Sequence, residues 1–464
     1  RPRTCSSTRT RCFGCRGSSF GSRRFEECER RLDRSEREPG PDHATFVTAA
    51  EARAPNGRRP AIDVTRILAL GTVVLGHLVL AVIDRSPDGS VRGANLLLLR
   101  PGWSWLAMLS PMPVFFVAAG WANLRSDLRS SADRLRRLVG FGAVVVTTWV
   151  ALVAAAWLVD GEPGVVSDAA RVATQPLWFL AAYLPLVAAG PFVARIADRP
   201  VIAIGCCVAV VVVLDTARFG AGAPEWIGWP GFAAAWAVPW LLGAWWRLAS
   251  ESRRPFDERR AGALLALGGG LGAILLIHAA GYSSALIDVI PGARSNTTPP
   301  TVYTAVAGIG QGGLLMVVAG ALDQVGRRWA TTWARLGEAA VGIYLLHLSA
   351  LVFCAGFIVL GAPAPLRLTG WWWATRPLWW VSVLAVTAVL AALAAAIRSR
   401  LTSGRSRTNL RPAPDRALRL GVALGTFGGA VVGLKGPRSL LTALMCVLAF
   451  IGSWWAFRRR APHG

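Results

Sequence analysis

Residues 63–80 read DVTRILALGTVVLGHLVL, an apolar run close to the 20 or so residues that a membrane-spanning helix needs. Two ionisable side chains, Arg66 and His77, interrupt it. An ionisable group inside a membrane segment costs about 3 kcal/mol on insertion scales, so its presence points to a use. The step from Arg66 to His77 turns a helix about 20° past three full turns and advances it by about 16 Å. One helical face therefore carries a cation near one membrane surface and an imidazole near mid-depth. A lone arginine at a helix end is commonly a snorkelling anchor, and a lone intramembrane histidine is commonly an interhelical polar contact. The other segments decide between these readings and a functional one.

Around this run the chain has 464 residues, of which 53% are hydrophobic and 16% charged. Repeated apolar runs replace the mixed periodicity of soluble domains, which predicts an all-α, polytopic transmembrane helix bundle. The formal net charge of +24 raises the question of nucleic acid. The arginines, however, fall in the gaps between apolar runs and not on one amphipathic face, so membrane lipids and no nucleic acid are the expected surroundings. Cys5, Cys12, Cys15 and Cys28 lie in the first 57 residues, and Cys206, Cys207, Cys354 and Cys446 lie in apolar runs. Cys12 and Cys15 have C-x-x-C spacing without a second pair or a nearby histidine, so no metal is expected. Residues 1–57, rich in Arg, Ser, Glu and Pro, read as a disordered basic leader or as sequence upstream of the true start.

Apolar runs near 62–83, 101–122, 138–159, 175–194, 200–215, 230–247, 261–280, 302–322, 338–360, 377–397, 417–434 and 439–457 predict about 12 helices. The organisation follows: a core over 58–397, a basic linker over 398–416, and two additional helices with a basic tail over 417–464. Arginines set the orientation. Arg125, Arg129, Arg134, Arg136 and Arg137 follow the second span, and Arg253, Arg254, Arg259 and Arg260 follow the sixth. Arg327, Arg328 and Arg335 follow the eighth, whereas the gaps after the third, fifth and seventh hold only Arg171, Arg218 and Arg294. Even-numbered spans are thus expected to end in the cytoplasm, with both termini inside and the protein in a bacterial plasma membrane.

In that orientation Arg66 lies at the cytoplasmic mouth of the first helix. Arg134 and Arg137, three residues apart, share a helical face and suit a phosphate, although positive-inside bias alone accounts for arginines there. Glu338 begins the ninth span, and Tyr344 and His347 share a face further along it, as acceptor-pocket residues or as polar packing contacts. Trp178 is a further aromatic candidate. His278 reads as interfacial, and Gln311 as a hydrogen bonder inside the eighth span.

Several segments together resemble the acyltransferase-3 family of integral membrane acyltransferases. RRPAIDVTRILALGTVVLGH is similar to the family's opening, an Arg or Lys, ten residues, then a His, here Arg66 and His77, with Asp63 at the frequent acidic position before them. PMPVFFVAAGW (111–121) is similar to its aromatic, Gly-containing second helix, with Ala119 where Ser is common. DRLRRL (133–138) supplies R-x-x-R as Arg134 and Arg137. QPLWFLAAYL (175–184) resembles its Leu-Trp-Phe-Leu segment, and GEAAVGIYLLHLSAL (337–351) its late Tyr-Leu-x-x-His helix. The collinear order of these pieces, from about 58 to 397, carries the resemblance and implies a 10-helix acyltransferase core.

The resemblance implies transfer of an acyl group, typically acetyl from cytoplasmic acetyl-CoA, to a hydroxyl of a carbohydrate, lipid or small metabolite, with no permanently bound cofactor. Cytoplasmic arginines suit the polyanionic CoA. His77 would act as general base or as acyl-carrying nucleophile, with Arg66 as the catalytic cation on the same face, where a phosphate or the thioester end of the arm passes, and Arg134 and Arg137 as the CoA-binding pair. The alternative is a multi-pass transporter or flippase, which calls for a two-fold repeat of six-helix halves; the sequence shows no counterpart of the Arg66–His77 pattern in its second half.

Overall fold

In a computed structural model, the structure describes residues 59–402 apart from 86–90, 125–127, 161–163, 191–195, 197–198, 287–293 and 362–365. The C-x-x-C pair, the basic linker beyond Thr402 and the two last predicted helices lie outside the described residues.

The first helix, α1, spans Pro60–Leu80. Pro60 needs no N–H at the first helical position, and Asp63 in the first turn complements the positive end of the helix dipole. The chain then turns extended into a small antiparallel hairpin, β1 (Ala81–Arg85) and β2 (Val91–Asn95), with Ala81 opposite Asn95 and Arg85 opposite Val91. This hairpin is an addition to the all-α expectation.

A one-turn helix, α2 (Leu96–Leu99), and a 3-10 segment (Pro101–Met108) lead to α3 (Met112–Asn123). The predicted span 101–122 is therefore broken, because Pro111 and Pro113 lack the N–H groups that would carry a helix across the junction. Then come α4 (Leu128–Asp160), α5 (Gly164–Thr174), α6 (Leu177–Ala188), α7 (Pro200–Asp215), α8 (Gly231–Glu251), α9 (Glu258–Ala280), α10 (Val302–Arg328), α11 (Ala330–Val359) and α12 (Gly370–Thr402). Every predicted span within the described residues overlaps helical structure, although the first, predicted to 83, ends at Leu80 and β1 follows. The tenth starts earlier than predicted: Pro377 reads as a helix start but sits inside α12, which brings Arg376 into the helix.

Among the described residues, eight helical segments are long and apolar enough to cross a membrane. Leu264, Leu267, Leu271 and Leu275 of α9 are all more than half exposed, and such an apolar face is at home only in lipid. The chain is a multi-pass membrane protein. The shorter α6 and the Trp-rich α8 are instead packed inside, with Phe179, Tyr183, Trp236 and Trp240 buried.

α1 lies at the centre, packed at once against α3, α10 and α11. Arg59, just before it, fixes one end: its guanidinium bonds Glu258 of α9 at 2.8 Å and Asp323 of α10 at 2.9 Å. α3 and α8 cross at contact distance through glycines; a Cβ on Gly120 would collide with the Trp240 carbonyl, and one on Gly243 with the Val117 carbonyl. Small residues at such a crossing let two backbones approach, the usual device of membrane helix packing. α1 and α11 run parallel, Ile67 beside Gly337 and His77 beside His347, so the register of the two helices alone brings the histidines together.

Candidate active site

The first element of the site is a pair of histidines. His347 is fully buried in α11, and its Nδ1 lies 2.5 Å from the Tyr344 carbonyl one turn earlier. A carbonyl only accepts, so that nitrogen carries the proton. Its Nε2 lies 2.8 Å from Nδ1 of His77. With both rings neutral, Nε2 of His347 is the acceptor and His77 Nδ1–H the donor, which leaves Nε2 of His77 unprotonated with its lone pair free. The ring planes differ by 14° and the centroids are 5.0 Å apart. Since each nitrogen lies about 1.1 Å from its centroid, this is an in-plane hydrogen bond and not a face-to-face stack.

The second element is a cluster of guanidiniums toward the Arg59 end. Arg66 of α1 is half-buried, with Nε buried and without a partner, and its Cζ lies 5.8 Å over the Phe115 ring. Arg134 of α4 is also half-buried, and its Nη1 has no partner. Burial first, then the neighbouring charges of Arg66 and Arg137, push Arg134 below its usual value, with the Tyr183 phenol acting in the opposite sense. Arg137 is the exposed member of the three. Among the described residues no carboxylate forms an ion pair with any of them, and like charges at this proximity are satisfied by an anion.

Aromatic side chains connect the two elements. Phe115, under Arg66, meets Phe179 at 5.1 Å and Tyr183 at 5.7 Å between centroids. Phe179 meets Tyr344 at 5.2 Å, and Tyr344 meets His347 at 5.7 Å. The guanidinium cluster, the aromatic wall and the histidine pair thus follow one another along α1, over the roughly 16 Å that separates Arg66 from His77 in helical rise.

The structure therefore brings Arg66, Arg134 and Arg137 together, and His77, His347 and Tyr344 together. Asp63 stands in the first turn of α1. Trp178 packs on Trp236 at 5.4 Å. The side chain of Glu338 lies outside the described side chains. His278 is exposed in the last turn of α9, and Gln311 has a buried Oε1 without a partner. Phe115, Phe179 and Tyr183 were not singled out by the sequence, although they lie inside the aromatic motifs quoted for it; a single aromatic in an apolar helix has no periodicity that separates wall from core.

No curated protein and no solved structure matches the chain significantly. The family model described as an acyltransferase domain, Acyl_transf_3, matches residues 59–397. That range begins at the Arg59 anchor and ends in α12, enclosing the histidine pair, the guanidinium cluster and the aromatic wall between them: the chain belongs to the acyltransferase-3 family and is a membrane acyltransferase.

Proposed function

We propose that the protein transfers an acetyl group from acetyl-CoA to a hydroxyl of a carbohydrate, lipid or small metabolite, with His77 at the reacting centre. The observation that carries this reading is the free Nε2 of His77, held in one tautomer by the hydrogen-bond chain through His347 to the Tyr344 carbonyl. As general base, Nε2 takes the acceptor's hydroxyl proton while the oxygen attacks the thioester carbonyl. The C–O ester bond forms, the C–S bond breaks, and the departing CoA thiolate takes the proton back from the imidazolium. As nucleophile, the same nitrogen attacks the thioester first, the C–S bond breaks to release the CoA thiolate, and the acceptor oxygen then takes the acetyl group from the acetyl-imidazolium, its proton ending on the thiolate and His77 returning to the neutral imidazole.

Arg66, Arg134 and Arg137 offer the guanidinium forks that CoA phosphates prefer, and the apolar aromatic side chains lie between them and His77. Positive-inside bias supports placing this cluster on the cytoplasmic side, where CoA is found, with both termini on that side of a bacterial plasma membrane. Asp63, at the foot of α1 near Arg66, is read as a positioning residue of the same mouth, and Trp178 and Glu338 as acceptor-side or supporting candidates.

The test is release of free CoA from acetyl-CoA by the detergent-purified protein. His77→Ala should lose it by about two to four orders of magnitude while retaining acetyl-CoA binding. Undiminished release by a well-folded His77→Ala protein overturns the reading. A single turnover with labelled acetyl-CoA and no acceptor separates the two roles: label on the wild-type protein but not on His77→Ala marks the nucleophile, and its absence marks the base.

A further inference from the structure

On the far side of His77 from the guanidinium cluster, α12 carries a second buried cation. Arg376 is 4% exposed, and its Nε and Nη1 are buried with no partner. It is sandwiched along its own helix, with Cζ 4.1 Å over the Trp372 ring and 5.5 Å over the Trp379 ring. The indole Nε1 of each of these tryptophans is also buried without an acceptor. Four N–H nitrogens on three side chains in contact are therefore buried with no acceptor among the described residues. A desolvated guanidinium in an apolar helix without a counter-charge is costly, and its presence inside a membrane span points to a ligand.

The position of this group is set by a neighbour on the same helix. Trp380, one turn further along α12, donates Nε1–H to the Leu78 carbonyl at 3.2 Å, and Leu78 follows His77 directly. Trp372, one turn before Arg376, is buried with Val82 of β1 and Leu96 of α2. Arg376 thus lies between the end of α1 and the hairpin, about 6 Å along the helix axis from the level of His77, on the side away from Arg66.

We infer that Arg376, with the indole N–H groups of Trp372 and Trp379, is the subsite for an anionic group, a carboxylate or a phosphate, on the hydroxyl-bearing acceptor. The inference rests on His77 as the transfer centre: the donor's anionic end sits on one side of it and the acceptor's on the other. A guanidinium with indole N–H donors beside it matches the oxygens of a carboxylate or a phosphate. A phosphate could also come from a lipid headgroup. The burial of Arg376 among α1, the hairpin and α12, and not on the apolar outer surface, favours an acceptor inside the bundle.

The test is binding, so that it stands apart from turnover. Purified protein is titrated with glucuronate, glucose 6-phosphate and glucose, and separately with acetyl-CoA, following thermal stabilisation. Either anionic sugar should bind at least 10-fold more tightly than glucose, and Arg376→Gln should remove that preference by about 10- to 100-fold while acetyl-CoA binding is unchanged. Arg376→Lys should retain part of it, and Trp379→Phe, which keeps a ring and deletes one donor, should weaken it several-fold if Arg376→Gln does not fold. Equal binding of glucose and both anionic sugars by wild type, or an unchanged preference in Trp379→Phe and Arg376→Lys, overturns the inference. Arg376-dependent stabilisation by phosphatidylglycerol nanodiscs, relative to phosphatidylcholine ones, without any sugar preference assigns the site to lipid and also overturns it. Failure of the His77 reading shows elsewhere, as CoA release that survives His77→Ala.

Discussion

Replacing His347 probes the proposed chemistry without touching the reacting atom. The His77 Nδ1–H bond to His347 Nε2, at 2.8 Å, keeps the His77 proton on Nδ1 and the lone pair on Nε2. His347→Phe keeps an aromatic ring in the buried slot and removes the acceptor. Leaving a buried donor unsatisfied costs about 1–3 kcal/mol, and the ring then populates the wrong tautomer and orientation, so kcat should fall by about 10- to 100-fold. KM for acetyl-CoA should hardly move, because the guanidinium cluster is untouched. His347→Gln is the discriminating control. Its Oε1 lies three bonds past Cβ, as Nε2 does in histidine, and can accept the same proton, so activity should return to within a few-fold of wild type. The assay is CoA release by purified protein with saturating acetyl-CoA. Wild-type kcat in His347→Phe, or a His347→Gln protein as impaired as His347→Phe, would refute the tautomer argument.

Arg134→Ala should raise KM for acetyl-CoA by about 10- to 100-fold with a small loss of kcat, since a phosphate contact far from the reacting atoms serves ground and transition states alike; Arg137→Ala, at the exposed position, should do less, and a pure kcat defect would show the role to be wrong. Gly120→Ala should lower stability by about 1–3 kcal/mol through its clash with the Trp240 carbonyl, read as a lower melting temperature in detergent, with Gly71→Ala, which meets nothing within 4 Å, as the silent control. Arg59→Ala should cost about 1–3 kcal/mol by stranding Glu258 and Asp323, a partly exposed pair of contacts, without changing the ratio of anionic to neutral acceptor binding. Single cysteines at positions 130 and 295 should label from opposite membrane faces; labelling of both by one impermeant reagent in intact cells would reject the orientation.

The bundle was legible because membrane helices announce themselves by length and apolarity, and the Arg66–His77 pair because ionisable groups are rare in such runs. The His77–His347 bond was not, since it depends on the register of α1 against α11, and no local pattern in either helix encodes the offset between them. Arg376 escaped for a different reason. Before Pro377 it reads as a flanking charge, and only the continuation of α12 through that proline turns a flank into an interior position. Glycines gave weak signals in both directions: Gly120 and Gly71 look alike in sequence, yet one lies against a carbonyl of the neighbouring helix and the other against open space.

The arginines show what a partner list adds to a charge count. Arg59 pairs with Glu258 and Asp323, Arg218 with Asp215, and Arg247 with Glu251; each has a carboxylate counter-charge. Arg66, Arg134 and Arg376 are each at least half-buried and keep nitrogens without an acceptor. Topology explains why arginines gather at one end, but not why some of them are desolvated and left without carboxylates, nor why one stands at the other side of His77. A buried guanidinium lacking its counter-charge is costly enough that packing alone would favour an apolar side chain in its place. The two unpaired groups flank the histidine pair along α1, and on the proposed reading each would anchor the anionic end of one substrate on its own side of His77.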